Sequence, residues 1–203
     1  MNNNADTPPL VLASASPRRT QLLREAGVEF EVVPPPLEEL KNGLPTLTPA
    51  QKAEALAYFK ARTVAQLRQG CYVLGADTIV AAAGRILGKP ADAEDARRML
   101  SELSRTRHAV ITGVALIGPS GERLIASETT YVTMSPMTDQ QIDQYVESGE
   151  WIDKAGAYAI QETADRFIEK LEGSFDNVVG LPVELVLRML DELKQHPETH
   201  KVL

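Results

Sequence analysis

Cys71 is the only cysteine in the chain, so an internal disulfide is impossible and a cysteine-based metal cluster is excluded. Basic residues are in the minority, 21 Lys and Arg against 28 Asp and Glu for a formal net charge of -7. That balance argues against a broad nucleic-acid or anionic-membrane surface, and any phosphate site has to be a local basic pocket in an acidic protein. No apolar run is long enough to span a bilayer, and Met1 to Pro9 is polar and unlike a signal peptide. The expected compartment is therefore the cytoplasm, with neither nucleic acid nor membrane as a partner. Walker motifs, the dinucleotide glycine fingerprint, internal repeats and low-complexity tracts are also missing. What remains is 203 residues at 43% hydrophobic content, enough for a sizeable core in one large domain or two small lobes.

The most informative stretch is Leu10 to Leu23. The apolar run Leu10 to Ala13 reads as a buried strand, and the small hydroxyl residues that follow lead into Ser16-Pro17, the signature of a helix start. Ser16 is the expected N-cap, its hydroxyl accepting from orphan helix N–H groups, with Pro17 at the first helical position. Arg18 and Arg19 then fall in the first turn, where the helix dipole makes each cation unfavourable by roughly 0.3–1 kcal/mol. Two guanidinium forks, free helix amides and the Ser14 and Ser16 hydroxyls at one strand-to-helix turn outline a phosphate site. An ordinary capped helix with two solvated arginines fits the same residues.

Further along, the first helix should close near Gly27, and Val28 to Val33 reads as a second strand stopped by Pro34, Pro35 and Pro36. Leu37-Glu38-Glu39-Leu40 sets a pair of carboxylates on the turn behind it. Thr48 to Leu67 has the spacing of an amphipathic helix, with Lys60 in or beside its apolar stripe; taken alone, Lys60 reads as a snorkelling lysine. Cys71 to Ala83 is almost continuously apolar, as a strand covered on both faces would be, except where Asp77 and Thr78 interrupt it. A carboxylate there needs a metal ion, a lysine or a proton to compensate it. Gly84-Arg85 forms a hairpin tip leading to Gly88-Lys89-Pro90, and Asp92 caps a helix through Leu103. Arg107 to Thr133 reads as β-hairpins turning at residues 118–121, with His108 as a structural strand-end residue. Thr138 opens another helix. The small-residue stretch from Ser148 to Gln161 would let a ligand or backbone approach, with Lys154 and Gln161 as its polar ends. Leu171 to Ser174 and Asn177 to Pro182 turn into a last helix from Val183 to Leu193.

Six segments, in order, resemble the Maf family of nucleoside triphosphate pyrophosphatases: Leu12-Ala13-Ser14-Ala15-Ser16-Pro17-Arg18-Arg19, Gly75-Ala76-Asp77-Thr78-Ile79-Val80, Gly88-Lys89-Pro90, Thr112-Gly113-Val114, Asp153-Lys154-Ala155-Gly156-Ala157-Tyr158 and Asn177-Val178-Val179-Gly180-Leu181-Pro182. The resemblance implies an α/β fold of the Maf and ITPase-like type: an elongated mixed β-sheet flanked by helices, in two lobes with a central cleft. It implies one such domain over 10–195 between tails 1–9 and 196–203, usually in a homodimer. The implied reaction converts a nucleoside triphosphate to the monophosphate and pyrophosphate with a divalent metal cation, Mg²⁺ or Mn²⁺.

By the matching positions, Asp77 would be the catalytic carboxylate, as base or as metal ligand, with Glu39 beside it as a second metal ligand. Ser14, Arg18, Arg19, Lys60, Thr78, Lys89, Lys154 and Gln161 would bind substrate. Arg18, Thr78 and Gln161 match the family's dTTP and UTP group, whereas the 7-methyl-GTP group tends to carry an aromatic residue, Gln and Glu there. Gly88 stands where some members have an acidic residue, Glu38 replaces a common Asp, and Ala159 and Glu162 to Asp165 replace a glycine-richer run. The expected substrates are dTTP and UTP, with modified pyrimidine nucleotides as further candidates. The alternatives are a 7-methyl-GTP pyrophosphatase and a non-catalytic nucleotide-sensing regulator of cell division.

Overall fold

The computed structural model describes residues 8–36, 47–161 and 163–196. The strands are β1 (Leu10–Ala13), β2 (Glu31–Val32), β3 (Tyr72–Ala82), β4 (Arg85–Leu87), β5 (Arg107–Ile117), β6 (Arg123–Met134) and β7 (Ile168–Glu172). The helices are α1 (Pro17–Glu25), α2 (Pro49–Leu67), α3 (Ala93–Leu103), α4 (Asp139–Ser148), α5 (Phe175–Val179) and α6 (Val183–Gln195), with 3-10 turns at Ala155–Ala157 and Thr163–Phe167. Seven strands form one mixed sheet in the order β2-β1-β3-β5-β6-β7, with β4 paired to β3. β1 runs parallel to both β2 and β3, while β3–β4 and β6–β7 are antiparallel. This is an α/β fold. Its chain divides into two compact units, one holding residues up to 77 with 113–127 and 183 onward, the other holding 78–112 and 128–182.

In the first unit α2 is started by a full capping box: Thr48 Oγ1 accepts from the Gln51 amide at 3.3 Å, and Gln51 Oε1 accepts from the Thr48 amide at 3.0 Å. Its buried face is Ala53, Ala57, Ala61 and Val64, small side chains at helical spacing that let the helix lie almost on the strand backbones. Glycines make that approach possible. A Cβ on Gly75 of β3 would stand 2.3 Å from the Ala57 carbonyl oxygen, and one on Gly113 of β5 would stand 2.2 Å from the Ala53 carbonyl carbon. Val11, Ala13, Val73, Ala115 and Ile117 complete this core.

The second unit buries Met99, Leu100 and Leu103 of α3 with Ile142 and Tyr145 of α4, Val110, Val132 and Met134 of the sheet, and Tyr158 and Phe167. Asp92 caps α3 by accepting from the Asp95 amide at 2.8 Å, and Thr138 starts α4 with a second capping box. His108, 2% exposed, has its Nε2 2.8 Å from the Tyr158 hydroxyl with the two rings edge to face. Burial pushes the imidazole pKa down to about 4 and the Tyr158 phenol up, so at neutral pH this is an uncharged structural pair.

Two expected elements differ. The second strand shrinks from Val28–Val33 to Glu31–Val32, because Gly27 and Val28 are used to close α1: their amides donate to the Arg24 and Leu23 carbonyls at 2.9 and 3.3 Å. The segment expected only to turn near Leu171 is instead β7, in register with β6 through Val132 and Leu171. Ser174 then caps the short α5 by accepting from the Asn177 amide at 3.2 Å. Among the described residues no helix is long and apolar enough to cross a membrane.

Candidate phosphate and nucleotide site

The turn from β1 into α1 is built around Ser14 rather than Ser16. Ser16 occupies the N-cap position with extended backbone, but its hydroxyl makes no capping bond, which corrects the expected role. Instead the Ser14 hydroxyl, 3% exposed, accepts from the Ser16 amide at 3.1 Å and from Arg19 Nη1 at 3.4 Å. One buried oxygen thus orders the turn and tethers a guanidinium to it. The first turn of α1 contains no acidic residue, so helix amides and two arginines gather positive potential at one end of β1.

β3 carries its carboxylate just past the last pair of its ladder with β1. Ala13 pairs with Gly75 in the parallel β1–β3 ladder, so Ser14 on one strand and Asp77 on the other both lie just beyond that pair. Ser14 follows the carboxyl end of β1, the end at which open α/β sheets place their ligands, whereas Asp77 lies midway along β3. Lys60 comes from α2, held against Gly75 through Ala57 and Ala61. Its ammonium lies 2.5 Å from Asp77 Oδ1, with side-chain exposures of 18% and 13%. The lysine that reads alone as a snorkelling side chain is therefore the counter-charge that Asp77 requires, and β3 runs through Asp77 and Thr78 without a break.

Ser14, Arg18, Arg19, Lys60 and Asp77 all belong to the first unit, and Thr78, Lys89, Lys154 and Gln161 to the second. In the second unit, Val80 pairs with Leu87, so the chain leaving β4 toward Lys89 runs back alongside β3. The Gly156 amide donates to the Gly88 carbonyl at 3.0 Å, which ties this return to the Lys154 segment. Gly156, at φ 72°, is pressed against Val80, whose Cγ2 would be 3.0 Å from an added Cβ. Lys89 Nζ is 3.9 Å from Asp153 Oδ1, Lys154 Nζ donates to the Ile152 carbonyl at 2.8 Å, and Gln161 is exposed. Glu39 lies outside the described residues.

Sequence reasoning assigned no role to Thr112 or Asn177. Thr112 Oγ1 lies 2.9 Å from Thr78 Oγ1 and donates to the Asn177 carbonyl at 3.0 Å. Both residues sit in segments that carry the family resemblance, Thr112-Gly113-Val114 and Asn177 to Pro182, and that was the available signal.

Among the described residues, no group of three or more His, Cys, Asp or Glu side chains comes together to cage an ion. A partly buried carboxylate such as Asp77 still suits an ion of the Mg²⁺ type, which takes one or two carboxylates and completes its shell with substrate phosphates and water. A separate cavity of about 750 Å³, bounded by Phe30, Tyr72, Leu187, Leu190 and Lys194, contains none of the site residues.

The fold defines an α/β protein in which an arginine-bearing helix start follows the carboxyl end of β1. The chain belongs to the Maf-like protein family, whose sequence profile matches residues 9–193. It is 47% identical over 183 residues to the dTTP/UTP pyrophosphatase of Symbiobacterium thermophilum, covering 90% of this chain and 93% of that protein. Against the dTTP/UTP pyrophosphatase of Ruminiclostridium cellulolyticum the identity is 45% over 187 residues, covering 92% and 96%. A HAM1 protein from Coxiella burnetii superposes with a TM-score of 0.52 at 19% identity, covering 92% of this chain and 100% of that one, a likeness of fold alone.

Proposed function

We propose that this protein hydrolyses dTTP and UTP to the nucleoside monophosphate and pyrophosphate. The observation that carries the reading is the Lys60–Asp77 pair, two residues past the last β1–β3 ladder pair, on the strand that neighbours the one leading into an arginine-bearing helix start. Phosphoryl-type transfer asks the protein for positioning and charge neutralisation more than for covalent chemistry. The α1 amides, Arg18 and Arg19 grip the triphosphate, with Ser14 holding the turn in shape. Water attacks the α-phosphorus, the bond from that phosphorus to the bridging oxygen breaks, and pyrophosphate leaves with the electron pair. Asp77 orients the water by accepting its hydrogen bond, and Lys60 fixes the carboxylate and supplies positive charge. A divalent metal, Mg²⁺ or Mn²⁺, held by Asp77 and Glu39, would neutralise phosphate charge.

A protein that only sensed nucleotides would need the cations but gain nothing from a carboxylate that repels phosphate, which favours the enzyme. The match of Arg18, Thr78 and Gln161 to the dTTP and UTP group of the family supports those substrates over 7-methyl-GTP, since polar groups that pair with one base are left unpaired by another. Pyrophosphate release across a panel of dTTP, UTP, dCTP, ATP, GTP and 7-methyl-GTP tests this, and turnover of 7-methyl-GTP equal to or faster than dTTP overturns it. A homodimer is proposed on the family resemblance, and light scattering at twice the 22.2 kDa chain mass is the expected result.

A further inference from the structure

A second stripe runs along α2 beside its buried face. Tyr58, Arg62, Ala65 and Gln66 recur at spacings of three and four residues, with Gln69 just past the helix end, so they share one side of it. Ile117, Gly121 and Arg123, where β5 turns into β6, stand against that stripe, and the two segments bound a cavity of about 280 Å³. All of these residues belong to the first unit. At about 100° of rotation per residue, Arg62 leaves the helix about 200° around from Lys60. The cavity is therefore separate from the Lys60–Asp77 pair.

Its lining holds hydrogen-bond donors and no carboxylate. Among the described residues, the Arg62 guanidinium makes no hydrogen bond or ion pair, and neither do the side-chain amides of Gln66 and Gln69. The helix positions three and four residues from Arg62 are Tyr58, Phe59, Ala65 and Gln66, so α2 offers it no acidic neighbour. Arg123 has only a neutral partner: its Nη1 donates to the Tyr58 hydroxyl at 3.0 Å, and the guanidinium lies 5.3 Å from the centre of that ring. Each fork carries five donors, so most of them stay available. The carboxylates next to the cavity are committed elsewhere. Glu122, 4% exposed, accepts from the Ser120 amide at 3.0 Å, and Glu54 accepts from the Ser127 hydroxyl at 2.6 Å.

We infer that this cavity is a second anion site, in which Arg62 and Arg123 hold a compact, multiply charged phosphate-type oxyanion such as inorganic pyrophosphate. Guanidinium forks match the oxygens of such an ion in pairs, and the carboxamides of Gln66 and Gln69 add neutral donors at the rim. The chemistry of the lining sets the sign of the ligand, because two uncompensated cations in a chain of net charge -7 make a local positive well. Size sets its class. About 280 Å³ lies just under the range of clefts that enclose drug-sized ligands, enough for a small anion and too little for a nucleoside with its triphosphate.

The test titrates the isotope-labelled full-length protein with inorganic pyrophosphate in the absence of divalent metal, following the arginine Nε–H and glutamine side-chain amide signals by NMR. Saturable shifts at Arg62, Arg123, Gln66 and Gln69 are expected, and Arg62→Gln, a change at an exposed helix position, is expected to weaken that binding about tenfold, the worth of one charged hydrogen bond. Unchanged affinity in Arg62→Gln overturns the inference, as does a wild-type titration without saturable shifts at these four residues. Shifts confined to Arg18 and Arg19 place the anion at the β1–α1 turn alone and overturn it too. A parallel titration with dTTP separates the two sources of phosphate: binding at the four residues about tenfold tighter than pyrophosphate makes the nucleoside part of the ligand and contradicts the compact-anion class. The result does not depend on the proposed hydrolysis, since a protein that releases no pyrophosphate from dTTP loses that function and keeps this site.

Discussion

Replacing Gly75 by alanine tests whether the α2–β3 contact is what delivers Lys60 to Asp77. The new Cβ would stand 2.3 Å from the Ala57 carbonyl oxygen and 2.8 Å from the Ala61 amide nitrogen, both backbone atoms that no rotamer change can move. Ordinary carbon–oxygen contact then requires α2 to withdraw by about 1 Å, an overpacking that costs about 1–3 kcal/mol. Lys60 lies between Ala57 and Ala61 on that helix and Asp77 lies two residues beyond Gly75, so the same withdrawal pulls their 2.5 Å contact apart. A misplacement of about 1 Å among positioned groups lowers turnover about a hundredfold. Urea unfolding measures the first effect and kcat/KM for dTTP the second. Gly88→Ala, whose Cβ meets nothing within 4 Å, is the stability control. A Gly75→Ala protein with wild-type midpoint and wild-type turnover refutes the packing argument and its link to the site.

Lys60→Met leaves the Asp77 carboxylate, 13% exposed, without its counter-charge, and is expected to lower stability by about 2 kcal/mol, between the values for solvated and fully buried pairs; a urea midpoint shift worth less than about 0.5 kcal/mol contradicts the pairing. Asp77→Asn is expected to reduce kcat for dTTP by about 10²–10⁴-fold while nucleotide binding, followed by calorimetry, is kept. Arg18→Gln should raise KM for dTTP by about tenfold, with a stability change within about 0.5 kcal/mol; an unaltered KM would remove Arg18 from the site. Folded His108 stays neutral to about pH 4 while the unfolded imidazole charges near 6.5, so the unfolded chain binds the proton first and stability falls as pH drops through that window. The loss is roughly 3 kcal/mol, and urea midpoints measured across that range should lose this component in His108→Gln.

The β1–α1 turn was legible in the sequence because its signals are local: an apolar tetrad, hydroxyl residues, Pro17, and two arginines where a helix dipole resists them. The hydroxyl that does the work was not, since Ser14 and Ser16 are chemically alike and only backbone direction separates them. The unbroken strand through Asp77 was likewise readable, and so was the need for a partner. That the partner is Lys60 depends on how α2 settles on β3, a contact between segments seventeen residues apart. Gly75 and Gly113 look like ordinary strand residues until the alanines of α2 are seen against them. The Thr78–Thr112–Asn177 chain joins residues 34 and 65 positions apart, so no local spacing shows it. Val28 differs from expectation for the converse reason: its β-branched character favours a strand, but its amide is claimed by the end of α1.

The central claim is that the site cleaves a nucleoside triphosphate between the α- and β-phosphorus. Incubating the protein with dTTP and Mg²⁺ or Mn²⁺ and identifying the products by phosphorus NMR tests this directly. Equal amounts of dTMP and pyrophosphate are predicted, with formation lost in Asp77→Asn; dTDP with orthophosphate would contradict the account.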